Sequence, residues 1–244
     1  MAVVDHQYKF IVVDIGSFGS NSDGGIWKNS KFGSAFDAKA VPVPAPRPPQ
    51  GSSIALPFVL IGDEGFQLRE NFLRPYPGCS LTNERRIFNY RLSRARYLYF
   101  DKNCVNGSRT SKNGRTTINF RRCSENAFGI LASRWRILRR PINLKPEHCD
   151  NVIMACIVLH NYLMRKSMNQ ENSVYCPRGY SDTVLPDGSV VDGDWRSEEN
   201  SFRSMDSRYS RNFSRNAEAV RQTFVNYFNT VGAVNWQDEY AHVF

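Results

Sequence analysis

Ser124-Glu125-Asn126-Ala127-Phe128-Gly129-Ile130-Leu131-Ala132-Ser133-Arg134-Trp135-Arg136-Ile137-Leu138 reads as one amphipathic helix. Ala127, Phe128, Leu131, Trp135 and Leu138 recur at three- and four-residue steps, so they form a stripe that faces a core. Glu125 sits on the flank of that stripe. Gly129 at i+4 and Ala132 a turn beyond carry almost no side chain, which predicts clearance beside the carboxylate. Arg134, Arg136, Arg139 and Arg140 occupy much of the remaining surface. A carboxylate with open space in front of it and arginines around it suits a metal that must meet a phosphate. The plainer reading is a first-turn glutamate favoured by the helix dipole, with Ser124 near the N-cap. The helix on its own favours the plainer reading; the rest of the chain changes the balance.

At 244 residues the chain is long enough for one good-sized domain with appendages. No run approaches the length of a membrane span and no apolar stretch follows a basic start, which predicts a soluble intracellular protein with no membrane partner. The six cysteines, Cys79, Cys104, Cys123, Cys149, Cys156 and Cys176, show no C-x-x-C pairing, so reduced thiols are expected rather than a disulfide framework or a zinc site. His6, His148, His160 and His242 are equally scattered. The net charge of +9 is unevenly spread: residues 69–140 hold 17 basic and 4 acidic side chains, whereas the flanking segments are close to balanced. One-signed charge confined to a region rich in Phe, Tyr and Trp is the footprint of a polyphosphate partner, although a solvated surface would share it.

Along the chain, Ala2 to Asp5 and Phe10 to Ile15 read as a β-hairpin. Met1 runs straight into the first strand, and we expect an upstream segment to be missing. Residues 16–25 are turn-rich, residues 26–36 suit a short helix, and residues 41–53, with five prolines, form an extended loop. Phe58-Val59-Leu60-Ile61 reads as a strand buried on both faces, with Asp63 emerging at its carboxyl end, where α/β sheets commonly bind ligands. An aspartate at a strand exit is also the usual turn former. Thr82 to Arg96 suits a basic helix capped by Thr82, and residues 97–121 read as an inserted, unpatterned loop. Asp150 to Met164 is apolar nearly all round and predicts a buried helix, with His160 a hydrogen-bonded core residue rather than a ligand. Residues 167–210 read as a polar, partly disordered linker, and Ala217 to Phe228 as a short amphipathic helix that docks back.

Three acids thus lie on separate elements: Asp5 on the first strand, Asp63 at a central strand's exit and Glu125 at a helix start. Three such carboxylates, if they converge, offer hard oxygen ligands for two Mg²⁺ or Mn²⁺ ions, the pair that drives in-line phosphoryl displacement. The basic 69–140 region would grip DNA phosphates.

Val3-Val4-Asp5, the loop from Gly16 to Asp23, Gly62-Asp63-Glu64-Gly65-Phe66, the run from Phe88 to Arg96, Ser124-Glu125-Asn126-Ala127-Phe128-Gly129-Ile130-Leu131 and Leu159-His160-Asn161-Tyr162 together resemble the DDE endonuclease domain of PIF/Harbinger transposases and the host nucleases derived from them. The resemblance runs from residue 1 to about 165, with residues 166–244 a polar linker and tail. It implies an α/β, RNase H-like fold, a mixed sheet flanked by helices. It also implies a metal-dependent DNA endonuclease whose three acids match Asp5, Asp63 and Glu125. Asp14 on the second strand and Asp23 in the loop are competing choices for the first acid, ranked lower because Asp23 needs only a turn-forming role. A nuclear location and a helix-turn-helix or Myb-like partner are further implications.

Two departures stand out. Asp63 and Glu125 are 62 residues apart, wider than the family spacing, and removing the stretch after Arg96 would restore it. A surface insertion of that kind costs little, because closure entropy grows slowly with loop length. Only four residues precede Asp5 in the sequence, so the helix-turn-helix region that family members carry ahead of the nuclease domain is expected to belong to the missing upstream segment. A rival reading is a catalytically inactive, domesticated module that retains the fold for binding DNA or protein.

Overall fold

In chain order, the computed structural model contains β1 (Ala2–Val4), β2 (Phe10–Val13), α1 (Asp23–Asn29), α2 (Lys31–Asp37), β3 (Leu60–Ile61), β4 (Phe72–Leu73), α3 (Asn83–Ala95), α4 (Arg122–Arg134), a 3-10 turn (Arg136–Arg139), α5 (Pro146–Ser167), β5 (Thr183–Val184), β6 (Val190–Val191), a second 3-10 turn (Asp194–Arg196), α6 (Arg215–Asn229) and α7 (Gln237–Ala241). It describes residues 1–17, 21–49, 51–78, 80–95, 122–167, 173–185, 188–197 and 213–242. The inserted loop expected at 97–121 lies outside the described residues. The protein is therefore mixed α/β. Its described strands pair two by two, β1 with β2 and β5 with β6 antiparallel and β3 with β4 parallel, where the sequence suggests one central sheet. Among the described residues no helix is long and apolar enough to cross a membrane. The chain divides into two compact units, one holding residues 1–17 and 122–197 and the other residues 21–95 and 213–242.

In the first unit the expected hairpin forms, with Val3 opposite Val12. Asn161 of α5 acts as a surrogate strand for its edge: the Phe10 amide donates to Asn161 Oδ1 and Asn161 Nδ2 donates to the Phe10 carbonyl, both at 2.8 Å. Phe10, Ala127, Leu131, Cys156 and Ile157 form the core between the hairpin, α4 and α5. His160 is wholly buried, its Nε2 2.8 Å from the Tyr8 carbonyl and its Nδ1 2.8 Å from the Tyr175 hydroxyl. A carbonyl only accepts, so Nε2 carries the proton and Nδ1 accepts from Tyr175 in the neutral ring. The core role expected for His160 is what it has.

Three other expectations change. The helix predicted to continue to Leu138 stops at Arg134, because Trp135 leaves helical geometry (φ −106°, ψ 79°) and sends its indole N–H to the Tyr175 hydroxyl at 3.1 Å. Arg139 then folds back onto the Ala132 and Ser133 carbonyls, satisfying acceptors that the helix end leaves open. Helix α5 is buried only along Cys156, Ile157, His160 and Met164, while Met154, Val158, Leu159 and Tyr162 face outward. Finally, residues read as a polar linker fold onto α4. Tyr180 and Trp195 are buried with Ile130 and Met164, and the Trp195 ring fills the space over Gly129, so that a Cβ there would overlap it. Gly129 is a socket for an indole and does not provide clearance beside Glu125.

In the second unit the expected single helix over 26–36 is two helices hinged at Ser30. The Ser30 amide closes α1 through the Ile26 and Trp27 carbonyls, while its Oγ accepts from the Gly33 amide at 2.9 Å and starts α2. Trp27, 1% exposed, packs edge-on against Phe32, Phe36, Phe66 and Phe72. The strand expected at Phe58 to Ile61 is shorter and half-buried, and its end, Gly62, lies under the Phe72 ring. The basic helix expected from Thr82 forms as α3, but its apolar face is the centre of this unit's core. Ile87, Phe88 and Leu92 are buried with Val225 and Phe228 of α6, which docks back as expected, and with Ala241 of α7. Arg91 is buried here, donating to the Gly232 carbonyl at 2.6 Å and to Gln237 at 3.0 Å.

Two outcomes follow from this packing. Gly129→Ala forces the Trp195 ring out of its seat and lowers stability by about 1–3 kcal/mol, the usual cost of overpacking, read as a fall in thermal midpoint. Burial holds His160 below its ordinary value of 6.5, against the opposing pull of the Tyr8 carbonyl and the Asp5 charge. The unfolded chain therefore binds this proton more readily, and stability present above pH 6.5 is lost as the pH falls through 6.5 toward the lower folded value. Denaturant melts from pH 7.5 to 5 should show that loss, with a flatter profile for His160→Gln.

Candidate active site

Asp5 follows β1 and shapes the hairpin turn. Its Oδ1 accepts the Gln7 and Lys9 amides, both at 2.9 Å, and its Oδ2 lies 3.4 Å from the Lys9 ammonium. Backbone bonds tighten the same turn, with the Tyr8 amide donating to the Asp5 carbonyl at 3.0 Å and Tyr8 in the left-handed region at φ 60°. The Cys123 thiol also lies 3.0 Å from the Asp5 carbonyl, which ties Asp5 to the first turn of α4, the turn that carries Glu125. The contact joins the Asp5 backbone, not its carboxylate, to that turn.

Glu125 is half-buried, with its Oε2 3.3 Å from Arg196 Nη2. Arg196 is held far more tightly by Asp182, whose side chain is fully buried: Nε donates to Oδ1 at 2.7 Å and Nη2 to Oδ2 at 2.6 Å. Although burial pulls the guanidinium down, the bonds and charge of Asp182, with Glu125 behind them, hold its pKa above the ordinary range. Asn126, wholly buried beside Glu125, anchors the same segment by accepting the Trp195 indole N–H at 2.5 Å and the Asp182 amide at 3.2 Å. Sequence reasoning passes over Asn126, Asp182 and Arg196. Asp182 and Arg196 lie more than fifty residues beyond Glu125 in a stretch without hydrophobic period, so no spacing signal exists for them.

In the second unit Asp63 leaves β3 in a tight turn, its Oδ1 accepting the Gly65 amide at 3.0 Å. The same glycine faces Asp23 in the first turn of α1. A Cβ on Gly65 would lie 2.8 Å from Asp23 Oδ2 and 3.1 Å from Asp63 Oδ1, so both carboxylates close on one bare backbone position. Buried Arg74 braces the turn, Nη1 donating to the Glu64 carbonyl at 3.0 Å and the Phe66 carbonyl at 3.1 Å. Burial raises the Glu64 carboxyl, and the Asp63 charge raises it further, against the pull of Arg74. Asp14 contributes its backbone to the hairpin end, its amide donating to the Met1 carbonyl at 2.8 Å.

Half-buried carboxylates at Asp63, Asp23 and Glu125 fit a hard divalent cation in donor chemistry. Asp5 fits it less readily, because both its oxygens already serve its own turn. Among the described residues no group of three or more His, Cys, Asp or Glu side chains is gathered as a metal site would require.

The arginines divide into two classes. Arg134 donates to the Tyr175 carbonyl at 2.7 Å and stacks 4.1 Å over Tyr180, and Arg139 and Arg91 bind backbone carbonyls, so these serve the fold. Arg136 and Arg140 are exposed and open to a phosphate backbone, and Arg85, also exposed, lies 4.7 Å over the Tyr76 ring.

A family model described as DDE superfamily endonuclease matches residues 1–99 and 100–161. No curated protein and no solved structure matches the chain. The family match spans well over half of the chain and includes Asp5, Asp63 and Glu125, and the chain belongs to the DDE superfamily endonucleases.

Proposed function

We propose that this protein is a divalent-metal-dependent DNA endonuclease of the PIF/Harbinger type, with an RNase H-like catalytic domain, and that it acts on DNA in the nucleus. The observation that carries the reading is the family match over residues 1–161, which runs through all three acids. The residues that would hold Mg²⁺ or Mn²⁺ are Asp5, Asp63 and Glu125. The chemistry such a cofactor supplies is activation of the attacking water or hydroxyl and stabilisation of the leaving oxygen in an in-line displacement. Asp63 and Glu125 present half-buried carboxylates set by a strand exit and a helix start. Asp5 would serve only by exchanging the Lys9 ammonium for the ion, and Asp23, closing on the same glycine as Asp63, is the alternative first acid. Exposed Arg85, Arg136 and Arg140 would contact DNA phosphates, a salt-sensitive, sequence-independent term. A helix-turn-helix or Myb-like partner would add target choice.

A second reading is a silent DNA-binding or protein-interaction module. It is favoured by the engagement of Asp5 with its own turn and of Glu125 with Arg196.

Plasmid nicking with Mg²⁺ or Mn²⁺ separates the two. We expect the wild type to nick, and Asp63→Ala and Glu125→Ala to lose more than the roughly 10–100-fold that removal of a ligand's hydrogen-bond partner costs. Equal cleavage by wild type and Asp63→Ala would remove Asp63 from the site. Comparison of Asp5→Asn with Asp23→Asn assigns the first acid, since only the ligand's loss should abolish nicking. No Mn²⁺ uptake by calorimetry together with salt-sensitive DNA binding would establish the silent module.

A further inference from the structure

The carboxylate of Glu125, a proposed ligand, is held by a side chain from a distant part of the chain, and that side chain is itself fixed. Arg196 carries two charge-assisted bonds to Asp182, at 2.7 and 2.6 Å, and passes the outer face of Nη2 to Glu125 Oε2 at 3.3 Å. Asp182 is buried and further oriented by the Gly193 amide, which donates to its Oδ1 at 2.9 Å. Asp192, 43% exposed, stands 4.0 Å from Arg196 Nε on the solvent side.

We propose that Arg196, anchored by Asp182, is the positioning residue for Glu125, a proposal that rests on the reading of Glu125 as a metal ligand. The charges support this over a role as a competing cation. Two short bonds to Asp182 already balance the guanidinium, so Glu125 receives only the longer bond, from the nitrogen that also serves Asp182 Oδ2. That bond restricts the carboxylate's rotamers and occupies Oε2 while leaving Oε1 to face an ion. A ligand carboxylate fixed by a hydrogen-bonded partner binds its metal with less ordering to do on arrival, and removing such partners commonly weakens metal affinity 10–100-fold. The arrangement also explains why a chain segment beyond residue 165 is packed so closely over α4: Trp195 seated on Gly129 fixes the backbone from which Arg196 extends, and Arg196 stacks 4.4 Å over that same ring.

The test uses the full chain and Mn²⁺ alone. Calorimetric titration, at a temperature well below each variant's unfolding midpoint, compares wild type with Arg196→Ala, Arg196→Lys and Asp182→Asn. We expect roughly 10–100-fold weaker Mn²⁺ binding for Arg196→Ala and Asp182→Asn, by the cost of losing a ligand's hydrogen-bond partner, and an intermediate loss for Arg196→Lys, which keeps the charge but cannot span both carboxylates. In nicking assays, raised Mn²⁺ should restore Arg196→Ala and leave Glu125→Ala inactive; a purely structural defect would not respond to the metal in this way. Unchanged or tighter Mn²⁺ binding by folded Arg196→Ala and Asp182→Asn overturns the proposal. A wild-type protein that takes up no Mn²⁺ overturns the metal reading itself, and the positioning role falls with it. Should Arg196→Ala fail to fold, Arg196→Lys and Asp182→Asn carry the test.

Discussion

The seating of Trp195 on Gly129 is the contact on which the first unit depends. It is a steric fit secured by polar bonds: the indole takes the place of a side chain on α4, and its N–H is accepted by wholly buried Asn126. Asn126 also accepts the Asp182 amide, and Asp182 in turn takes the Gly193 amide and the Arg196 guanidinium. Every member of this chain is buried or half-buried, where a polar group left unpaired would cost about 1–3 kcal/mol. The network is therefore cooperative. The segment that carries Tyr180, Asp182, Trp195 and Arg196 is held on the helix by two buried rings and a set of hydrogen bonds.

The same economy governs the acids. A carboxylate's usefulness to a metal depends on what else its oxygens must do. Asp5 performs turn chemistry, accepting two amides and facing an ammonium. Asp63 does part of the same work through one oxygen, accepting the Gly65 amide where the backbone must tighten without a Cβ in the way of Asp23. Glu125, in the first turn of α4, has its bond from Arg196 instead.

Positive charge is divided in a similar way. The surplus in residues 69–140 suggests a surface for DNA, yet Arg74, Arg91, Arg134 and Arg139 spend their donors on backbone carbonyls and rings. Arginine suits that role because its planar fork can satisfy several acceptors while its stem packs against apolar neighbours. The charge open to a phosphate backbone is a subset of the total, found at exposed positions such as Arg85, Arg136 and Arg140.

What the sequence by itself determined is what local periodicity and short motifs encode. The hairpin at residues 2–13, the helices from 83, 122, 146 and 215, the core role of His160 and the ordered set of motifs that mark the family are all of this kind. Each depends on neighbours within a few residues, or on motif order, so a linear reading reaches it. Only the tertiary structure decided what fills the space beside Glu125, where the helix through Trp135 breaks, and which arginines are internal. Asp182, Trp195 and Arg196, which fill the space beside Glu125, act on α4 across more than fifty positions of intervening chain, and Tyr175, the partner of Trp135, lies 40 residues beyond it. Steric exclusion and hydrogen-bond pairing depend on distance in space, and no spacing along the chain carries that information.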